Sequence, residues 1–377
     1  MTTDAETEEE YTPAPRRRGL REGYTTGACA TAAAKAAALA LLSGRPVERV
    51  TIHLPIGRDA TFALCRCEFG PGWVRCGVIK DAGDDPDITH GAEIQATVSR
   101  SETPGITLVG GPGVGTVTRP GLGLAVGGPA INPVPRRMIT EAVGAVAAAH
   151  GVPGLRVAIA VPNGEELAKR TLNPRLGIVG GLSILGTTGI VKPWSTAAWR
   201  ASVLQAIDVA AANGVAHVVL STGGRSEKFA RALLPELPEL AFVEMGEFTG
   251  HALKRAAARR LRRVTLAGMI GKFSKLAQGH MMTHVAGNRV DTAFLAELAR
   301  AAGAHEDLAQ AIAAANTARH AQELAQSAGC ARFFAEVTRR VVHQCRAVVH
   351  GALAVDAVLF DFDGTVLARS ACHDATG

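Results

Sequence analysis

The sequence of 377 residues predicts a two-domain fold, in which an α+β domain is followed by an α/β domain. In the first part, a helix precedes short strand-like runs that are separated by turn residues, which indicates mixed helix and antiparallel strands. In the second part, apolar runs end in glycine and lead into helical stretches, which indicates a mainly parallel, Rossmann-like sheet. The expected segments are a disordered acidic tail and three folded regions, at 1–18, 19–150, 151–290 and 291–377.

The elements of the first domain follow from propensity and capping. Thr25 and Thr26 precede an alanine-rich run that predicts a helix to Leu42, ended by Ser43 and Gly44. Runs with strand composition lie at 50–54, 61–67, 73–79 and 93–98. Short turns join them, so antiparallel pairing is expected.

The elements of the second domain are predicted from apolar runs that end at glycine-containing turns. A helix at 135–150 leads to four apolar runs, each followed by a turn rich in Gly, Thr or Ser, at 156–161, 176–179, 217–220 and 264–266. Ligands bind outside the carboxyl ends of parallel strands, so four such turns in one sheet predict a ligand cleft. Residues 290–349 read as helical, and 355–367 read as a closing hairpin.

The charge balance indicates an anionic partner. The first ten residues carry five acids and no base, so the net charge rises from +6 for the chain to +11 for the remainder. Only eight of the 40 basic residues are lysine, and the guanidinium of arginine matches carboxylates and phosphates in two-point contacts. Only 16 aromatic residues are present, which disfavours nucleic acid. A solvated arginine-rich surface explains the same balance equally well.

Cysteine usage and hydropathy indicate a reduced, cytoplasmic protein. The seven cysteines are odd in number and form no CxxC pair. The acidic N-terminus is unlike a secretory signal, and no uninterrupted apolar window of about 18 residues predicts a membrane span.

Several motifs are excluded or favour a structural interpretation. Residues 268–272 lack the P-loop spacing, and no GxGxxG motif opens the second domain. The glycine-rich segment 110–115 leads into a strand pattern, so a tight turn is favoured over a phosphate site. The segment 361–365 (DFDGT) copies a phosphatase motif, but a hairpin turn explains it because too little chain follows.

Two clusters contain side chains of the types that bind metals. The carboxylates of Asp81, Asp84, Asp85 and Asp87 suit a hard cation, although an Asp- and Gly-driven turn is favoured. His280 and His284 are four residues apart but lack the glutamate of a zinc protease motif. The sequence therefore predicts no protein-bound metal.

Several segments together resemble the CbiD family. They are 20–30 (LREGYTTGACA), 80–87 (KDAGDDPD), 110–116 (GGPGVGT), 130–133 (AINP), 161–165 (VPNGE), 181–189 (GLSILGTTG), 221–225 (STGGR) and 268–272 (GMIGK), with Thr283 and His284 after them. The resemblance covers about residues 20–291 in order.

The resemblance implies methylation of ring carbon 1 of cobalt-precorrin-5B by S-adenosylmethionine, which gives cobalt-precorrin-6A in anaerobic cobalamin biosynthesis. The substrate would be an anionic tetrapyrrole that carries its own cobalt, and arginines would hold its carboxylates by charge-assisted bonds. Neither nucleic acid nor a membrane is implied, and the sequence leaves open whether the chain forms a homo-oligomer.

Roles for single residues are predicted from their position at expected cleft edges. The expected cofactor residues are Gly186, Thr187, Thr188, Gly189, Thr222, Gly223 and Gly224. The expected substrate residues are Thr25, Thr26, Arg225, Lys272 and His284. Glu227 and Glu247 are candidate proton acceptors. The glycine-rich motif usual in Rossmann-type methyltransferases is absent, so an unusual cofactor site is expected.

Two other functions remain open on sequence grounds. One is a phosphate- or nucleotide-binding enzyme that uses the same glycine-rich cleft. The other is a non-enzymatic binder of tetrapyrrole or nucleic acid, driven by the positive charge.

Overall fold

The computed structural model describes residues 19–283 and 290–371. The chain divides into two compact units, unit 1 up to Ser195 and unit 2 from Thr196. The predicted tail at 1–18 and His284 lie outside the described residues.

Unit 1 combines three helices with short strands along the described chain. The helices are α1 (Thr26–Ser43), α2 (Pro133–Ala149) and α3 (Gly164–Ala168). The strands are β1 (Gly23–Tyr24), β2 (Arg49–Leu54), β3 (Arg58–Ala63), β4 (Arg66–Gly70), β5 (Trp73–Ile79), β6 (Glu93–Arg100), β7 (Gly105–Gly110), β8 (Gly113–Val114), β9 (Thr116–Val117), β10 (Gly154–Ala160), β11 (Ile178–Val179), β12 (Gly181–Leu182) and β13 (Ile190–Val191).

Helix α1 forms the centre of the core of unit 1. Thr25 caps it by accepting a hydrogen bond from the Ala28 N–H at 3.2 Å, and Gly44 ends it in the left-handed region. Its alanines are buried against α2, β5 and β6, because small side chains let neighbouring backbones approach closely. By length and composition α1 would also suit a membrane span, but 72% of it is buried, as expected for a core helix.

The main sheet of unit 1 has the order β4-β5-β6-β10-β7. Strand β10 pairs antiparallel with β6 and parallel with β7. This pairing places residues 154–195 in unit 1, so the division falls after Ser195 and not near residue 150. The prediction that all four glycine-rich turns follow strands of one sheet is wrong, because β10 and β11 belong to sheets of unit 1.

Unit 2 contains the remaining described elements. Its helices are α4 (Thr196–Ala212), α5 (Gly224–Leu233), α6 (Thr249–Ala258), α7 (Ile270–Ala277), α8 (Thr292–Ala301), α9 (Glu306–Ala313), α10 (Ala318–Ser327) and α11 (Ala331–Val348), with a short 3-10 turn at Glu239–Ala241. Its strands are β14 (His217–Ser221), β15 (Phe242–Glu244), β16 (Arg263–Gly268), β17 (Ala354–Phe360) and β18 (Val366–Ser370).

The sheet of unit 2 has the order β15-β14-β16-β17-β18. The first four strands are parallel, and β18 returns antiparallel to β17 as the predicted hairpin. Since β17 pairs with β16, the C-terminal segment belongs to the same sheet as the strands before it. The predicted fold class is confirmed: α+β in unit 1 and a mainly parallel α/β sheet in unit 2.

The two faces of this sheet carry different helices. Val219 of β14 lies in one apolar cluster with Ala230 of α5. Val218 and Leu220 lie in another cluster, which includes Ala252 of α6 and residues of α4, α7 and α11. Helices α5 and α6 therefore cover opposite faces of the sheet.

Candidate functional site

The strand order of unit 2 reverses between β14 and β16. The chain leaves β14 through α5 to reach β15 on one side, and it returns through α6 to β16 on the other side. Helix α5 follows β14 and α7 follows β16, and these two helices cover opposite faces of the sheet, so the carboxyl ends of β14 and β16 lie between their first turns. Open α/β sheets bind their ligands at this kind of position.

Two glycine-containing loops follow these strand ends, and hydrogen bonds join them directly. Thr222 donates its N–H to the Ala267 carbonyl at 2.9 Å, and Lys272 donates from Nζ to the Thr222 carbonyl at 2.5 Å. Helices α5 and α7 begin next to these loops, so backbone N–H groups point towards the edge. The helix ends favour negative or hydrogen-bond-accepting groups there.

Space remains open beside one glycine near each strand end. A β-carbon added at Gly223 or at Gly271, in the first turn of α7, meets no atom of the described residues within 4 Å. Gly223 has an extended backbone, with φ at 179°, so no turn geometry requires glycine there. Absence of a side chain instead keeps the first turn of α5 accessible.

Buried hydroxyl groups lie beneath the same edge. Ser221 ends β14 and is fully buried, and its Oγ has no hydrogen-bond partner among the described residues. Thr249, the first residue of α6, is also fully buried with its Oγ1 unsatisfied within the described part of the chain. Buried polar atoms are normally paired, so each of these indicates a polar group outside the described residues.

The comparable turn in unit 1 is filled by the protein itself. Thr26 Oγ1 accepts the Leu185 N–H at 2.9 Å, and the Gly27 N–H donates to the Leu185 carbonyl at 2.9 Å. A β-carbon at Gly186 would lie 2.4 Å from the Thr25 side chain. Within the described residues, the N-terminus of α1 is therefore closed by residues 185–189.

The aspartates between residues 81 and 87 take part in ion pairs and hydrogen bonds that stabilise the turn after β5. Arg21 forms a hydrogen-bonded ion pair with Asp81. This hydrogen bond, together with one from the Gly83 N–H, lowers the pKa of Asp81 to about 2. Lys80, only 1% exposed, donates to Asp87 at 2.6 Å. Among residues 19–283 and 290–371, no group of three or more His, Cys, Asp or Glu side chains is placed to hold a metal ion.

Comparison with known proteins identifies the family. The family model described as CbiD matches residues 14–193, and the model of the CbiD C-terminal domain matches residues 282–371. The chain belongs to the CbiD family.

Relatives within this family are similar over nearly their whole length. A cobalt-precorrin-5B C(1)-methyltransferase of Geobacillus sp. (strain WCH70) is 53% identical over 95% of this chain and 99% of its own. The protein of the same name from Salinispora arenicola (strain CNS-205) is 55% identical over 93% of this chain and 92% of its own. A crystal structure of the cobalamin biosynthesis protein (cbiD) of Archaeoglobus fulgidus is 28% identical, covers 82% of this chain and 85% of that one, and has a TM-score of 0.38.

The structure of this CbiD family member groups the predicted cofactor residues in two places. Thr222, Gly223 and Gly224 lie at the carboxyl edge of the unit 2 sheet. Gly186, Thr187, Thr188 and Gly189 form the turn that packs on α1 in unit 1, where Thr188 Oγ1 is bonded to the backbone of Ile190. The first group belongs to unit 2 and the second to unit 1, and the cofactor role of both groups stays a prediction.

The predicted substrate and catalytic residues are divided in the same way. Arg225 is exposed in the first turn of α5, and Lys272 lies beside Thr222. Thr25 and Thr26 are buried at α1, where their hydroxyls bond within the protein. The assignment of these threonines to the substrate stays a prediction.

The two candidate proton acceptors are both buried in unit 2. Glu227 accepts a hydrogen bond from Arg231 Nε at 3.0 Å, one helical turn further along α5. Glu247 follows β15, and its backbone carbonyl accepts the Thr283 N–H at 3.2 Å. Their catalytic roles stay predictions.

Sequence reasoning missed two residues of the unit 2 edge, Ser221 and Glu244. Ser221 is part of the STGGR segment, but the sequence pattern gives its hydroxyl group no separate role. Glu244 ends a strand of three residues, which gives too short a pattern to recognise. The distance along the chain from Gly224 to Glu244 was the available signal, because Rossmann-type sites carry an acid about 20 residues after the glycine turn.

Proposed function

We propose that this chain transfers the methyl group of S-adenosylmethionine to ring carbon 1 of cobalt-precorrin-5B, giving cobalt-precorrin-6A in the anaerobic route to cobalamin, in the cytoplasm. The observation that carries the proposal is 53% identity, over 95% of the chain, to a relative named cobalt-precorrin-5B C(1)-methyltransferase. The cobalt is part of the substrate.

The carboxyl edge of the unit 2 sheet fits the chemistry of the methyl donor. The donor contains a carboxylate, a ribose with two hydroxyls and an adenine, all of which require hydrogen-bond partners. The open first turn of α5 offers backbone N–H groups, and the buried Ser221 Oγ lacks a partner among the described residues. When bound, S-adenosylmethionine supplies an electrophilic methyl group on a sulfonium.

The residues of the chain would chiefly align the two reactants. The conjugated macrocycle supplies the carbon nucleophile, so holding the reacting carbons in line lowers the entropic part of the barrier. Gly223 and Gly224 would let the donor approach the backbone, and Lys272 would fix the Thr222 loop through its 2.5 Å hydrogen bond. Arg225, exposed at this edge, is placed to attract substrate carboxylates.

The remaining predicted residues enter the proposal in secondary roles. Thr25, Thr26, His284 and the turn Gly186, Thr187, Thr188 and Gly189 are proposed substrate and donor contacts. Glu227 and Glu247 are proposed to accept a proton if methylation releases one. Their replacement by glutamine would then lower kcat and change its pH profile, with little effect on KM.

The decisive experiment is an anaerobic incubation with methyl-labelled S-adenosylmethionine and enzymatically prepared cobalt-precorrin-5B, followed by mass spectrometry of the macrocycle. We expect one labelled methyl, mapped to ring carbon 1, and none when the protein is omitted. An intact substrate recovered without added methyl, in the presence of folded protein, would refute the proposal. Stabilisation by ATP but not by S-adenosylmethionine would then favour a nucleotide-dependent enzyme.

A further inference from the structure

Glu244 lies beside the open turn of unit 2, on an adjacent strand. It is the last residue of β15 and is directly paired with Ser221, the last residue of β14. Its side chain is exposed, and its Oε2 lies 3.7 Å from the position that a β-carbon of Gly224 would occupy. The carboxylate of Glu244 is therefore at the first turn of α5.

Strand alternation places Glu244 and Ser221 on the same face of the sheet. Phe242 and Val219, two residues before each of them, both lie in the apolar cluster beneath α5. Side chains two residues apart on a strand point to the same face, so Glu244 and Ser221 both face the α5 side. The buried, unsatisfied Ser221 Oγ and the exposed carboxylate thus line one end of the same strand pair.

From this arrangement we infer that Glu244 binds the ribose hydroxyls of the methyl donor. This inference rests on the proposed function and adds to it a specific role for Glu244. A vicinal diol offers two O–H donors, and an ionised carboxylate offers two acceptor oxygens, so the pair forms charge-assisted hydrogen bonds. Rossmann-type sites place an acid at this strand end for the same purpose.

The charge of Glu244 also selects among nucleotides. A carboxylate at the ribose position repels a phosphate placed there, whereas it accepts hydrogen bonds from free hydroxyls. The edge would therefore prefer a nucleoside with an unmodified ribose. This separates an S-adenosyl compound from a ribose-phosphorylated nucleotide.

The test measures binding rather than turnover. Isothermal titration compares S-adenosylhomocysteine with its 2′-deoxy analogue on the full-length wild type and on Glu244→Gln. We expect the substitution to weaken binding of S-adenosylhomocysteine about tenfold, since hydrogen bonds to charged groups are worth about 1.5 kcal/mol or more. Binding of the 2′-deoxy analogue, which retains one hydroxyl, should change clearly less.

Glu236→Gln is the matched control, because it removes the same charge from an exposed glutamate in the loop between α5 and β15, at the amino end of the strands. It should leave both affinities unchanged. If Glu244→Gln weakened the binding of both ligands equally, Glu244 would have a merely structural role. If it weakened the binding of neither, Glu244 would not contact the ligand. Either result overturns the inference and leaves the proposed function intact. Failure of the wild type to bind any S-adenosyl ligand would instead contradict the proposed donor, and the inference with it.

Discussion

Units 1 and 2 each contain a turn rich in glycine and threonine at the start of a helix, but the two turns differ in what surrounds them. In unit 1, residues 185–189 cover the N-terminus of α1 and satisfy its backbone groups. In unit 2, the loop at Gly223 leaves the first turn of α5 open and covers a hydroxyl without a partner within the described residues.

The difference shows that glycine in such a motif has two distinct physical reasons. At Gly186 the neighbouring Thr25 leaves no room for a side chain, and φ is 130°. At Gly223 there is room, and the backbone is extended. The sequence pattern is similar in both cases, so only the surroundings separate a closely packed glycine from one with open space beside it.

The largest effect is expected from Gly186→Ala. The new β-carbon would lie 2.4 Å from Thr25, so the cap of α1 must move, and we expect a loss of roughly 3 kcal/mol in unfolding free energy. Chemical denaturation measures it. Gly180→Ala is the control, because its φ is 79° but nothing lies within 4 Å, and it should cost only about 1 kcal/mol. Equal losses would mean that contact with Thr25 is unimportant.

Lys80→Met should cost about 2 kcal/mol at neutral pH, because it leaves the partly buried Asp87 without its cation. Burial acts to raise the pKa of Asp87, but the charge of Lys80 and hydrogen bonds from Lys80 and Thr89 outweigh it, and the pKa is lowered. A carboxyl with a lowered folded-state pKa contributes stability above about pH 4, which is lost as the pH falls through the folded pKa.

The difference between wild type and Lys80→Met should therefore shrink below about pH 4 in denaturation curves measured from pH 7 to pH 3. The exposed pair Lys169 and Glu166, also 2.6 Å apart, supplies the control. Lys169→Met should change stability by less than about 0.5 kcal/mol. A constant difference across this range would show that the Lys80–Asp87 pair does not stabilise the turn of unit 1.

Gly223→Ala should affect ligand binding more than stability, whereas Gly186→Ala should chiefly affect stability. Its β-carbon meets no atom of the described residues within 4 Å, so we expect a loss below about 1 kcal/mol in stability, from the poorer helix cap alone. Binding of S-adenosylhomocysteine should weaken about tenfold, or about 1.4 kcal/mol, because the new methyl occupies space reserved for the ligand. Titration and denaturation of the same sample measure both. Unchanged affinity would place the ligand elsewhere.

The sequence predicted the strands of the unit 2 sheet more accurately than the boundary between the two units. The strands at 217–220 and 264–266 and the closing hairpin have clear apolar runs and turn residues, and they are found nearly as expected. Residues 154–160 have the same appearance, yet β10 pairs within unit 1. A short apolar run does not reveal its partners, because pairing depends on residues distant in sequence.

The candidate site was predictable where it is local and not where it depends on strand order. Thr222, Gly223 and Gly224 follow a recognisable strand, so their edge position could be inferred. Glu244 becomes adjacent to Ser221 only because β15 pairs with β14, and its strand of three residues carries no periodic signal. The close packing of Gly186 against Thr25 could not be read from the sequence either, because it depends on residues distant along the chain, and the ligand roles of both residues stay predictions.

The smallest and most selective effect is expected from Ser221→Ala. Its Oγ is buried without a partner in the described chain, so removing it should leave stability unchanged or raise it by up to about 1 kcal/mol. Affinity for S-adenosylhomocysteine should fall about threefold to fivefold, since a neutral hydrogen bond contributes about 1 kcal/mol. Thr338→Val is the contrasting control, because that buried hydroxyl bonds to Ser370 at 2.7 Å. It should lower stability by about 1 kcal/mol without changing affinity. If Ser221→Ala behaves like Thr338→Val, the hydroxyl of Ser221 is a structural group, and the contrast between the closed turn of unit 1 and the open turn of unit 2 rests on Gly223 alone.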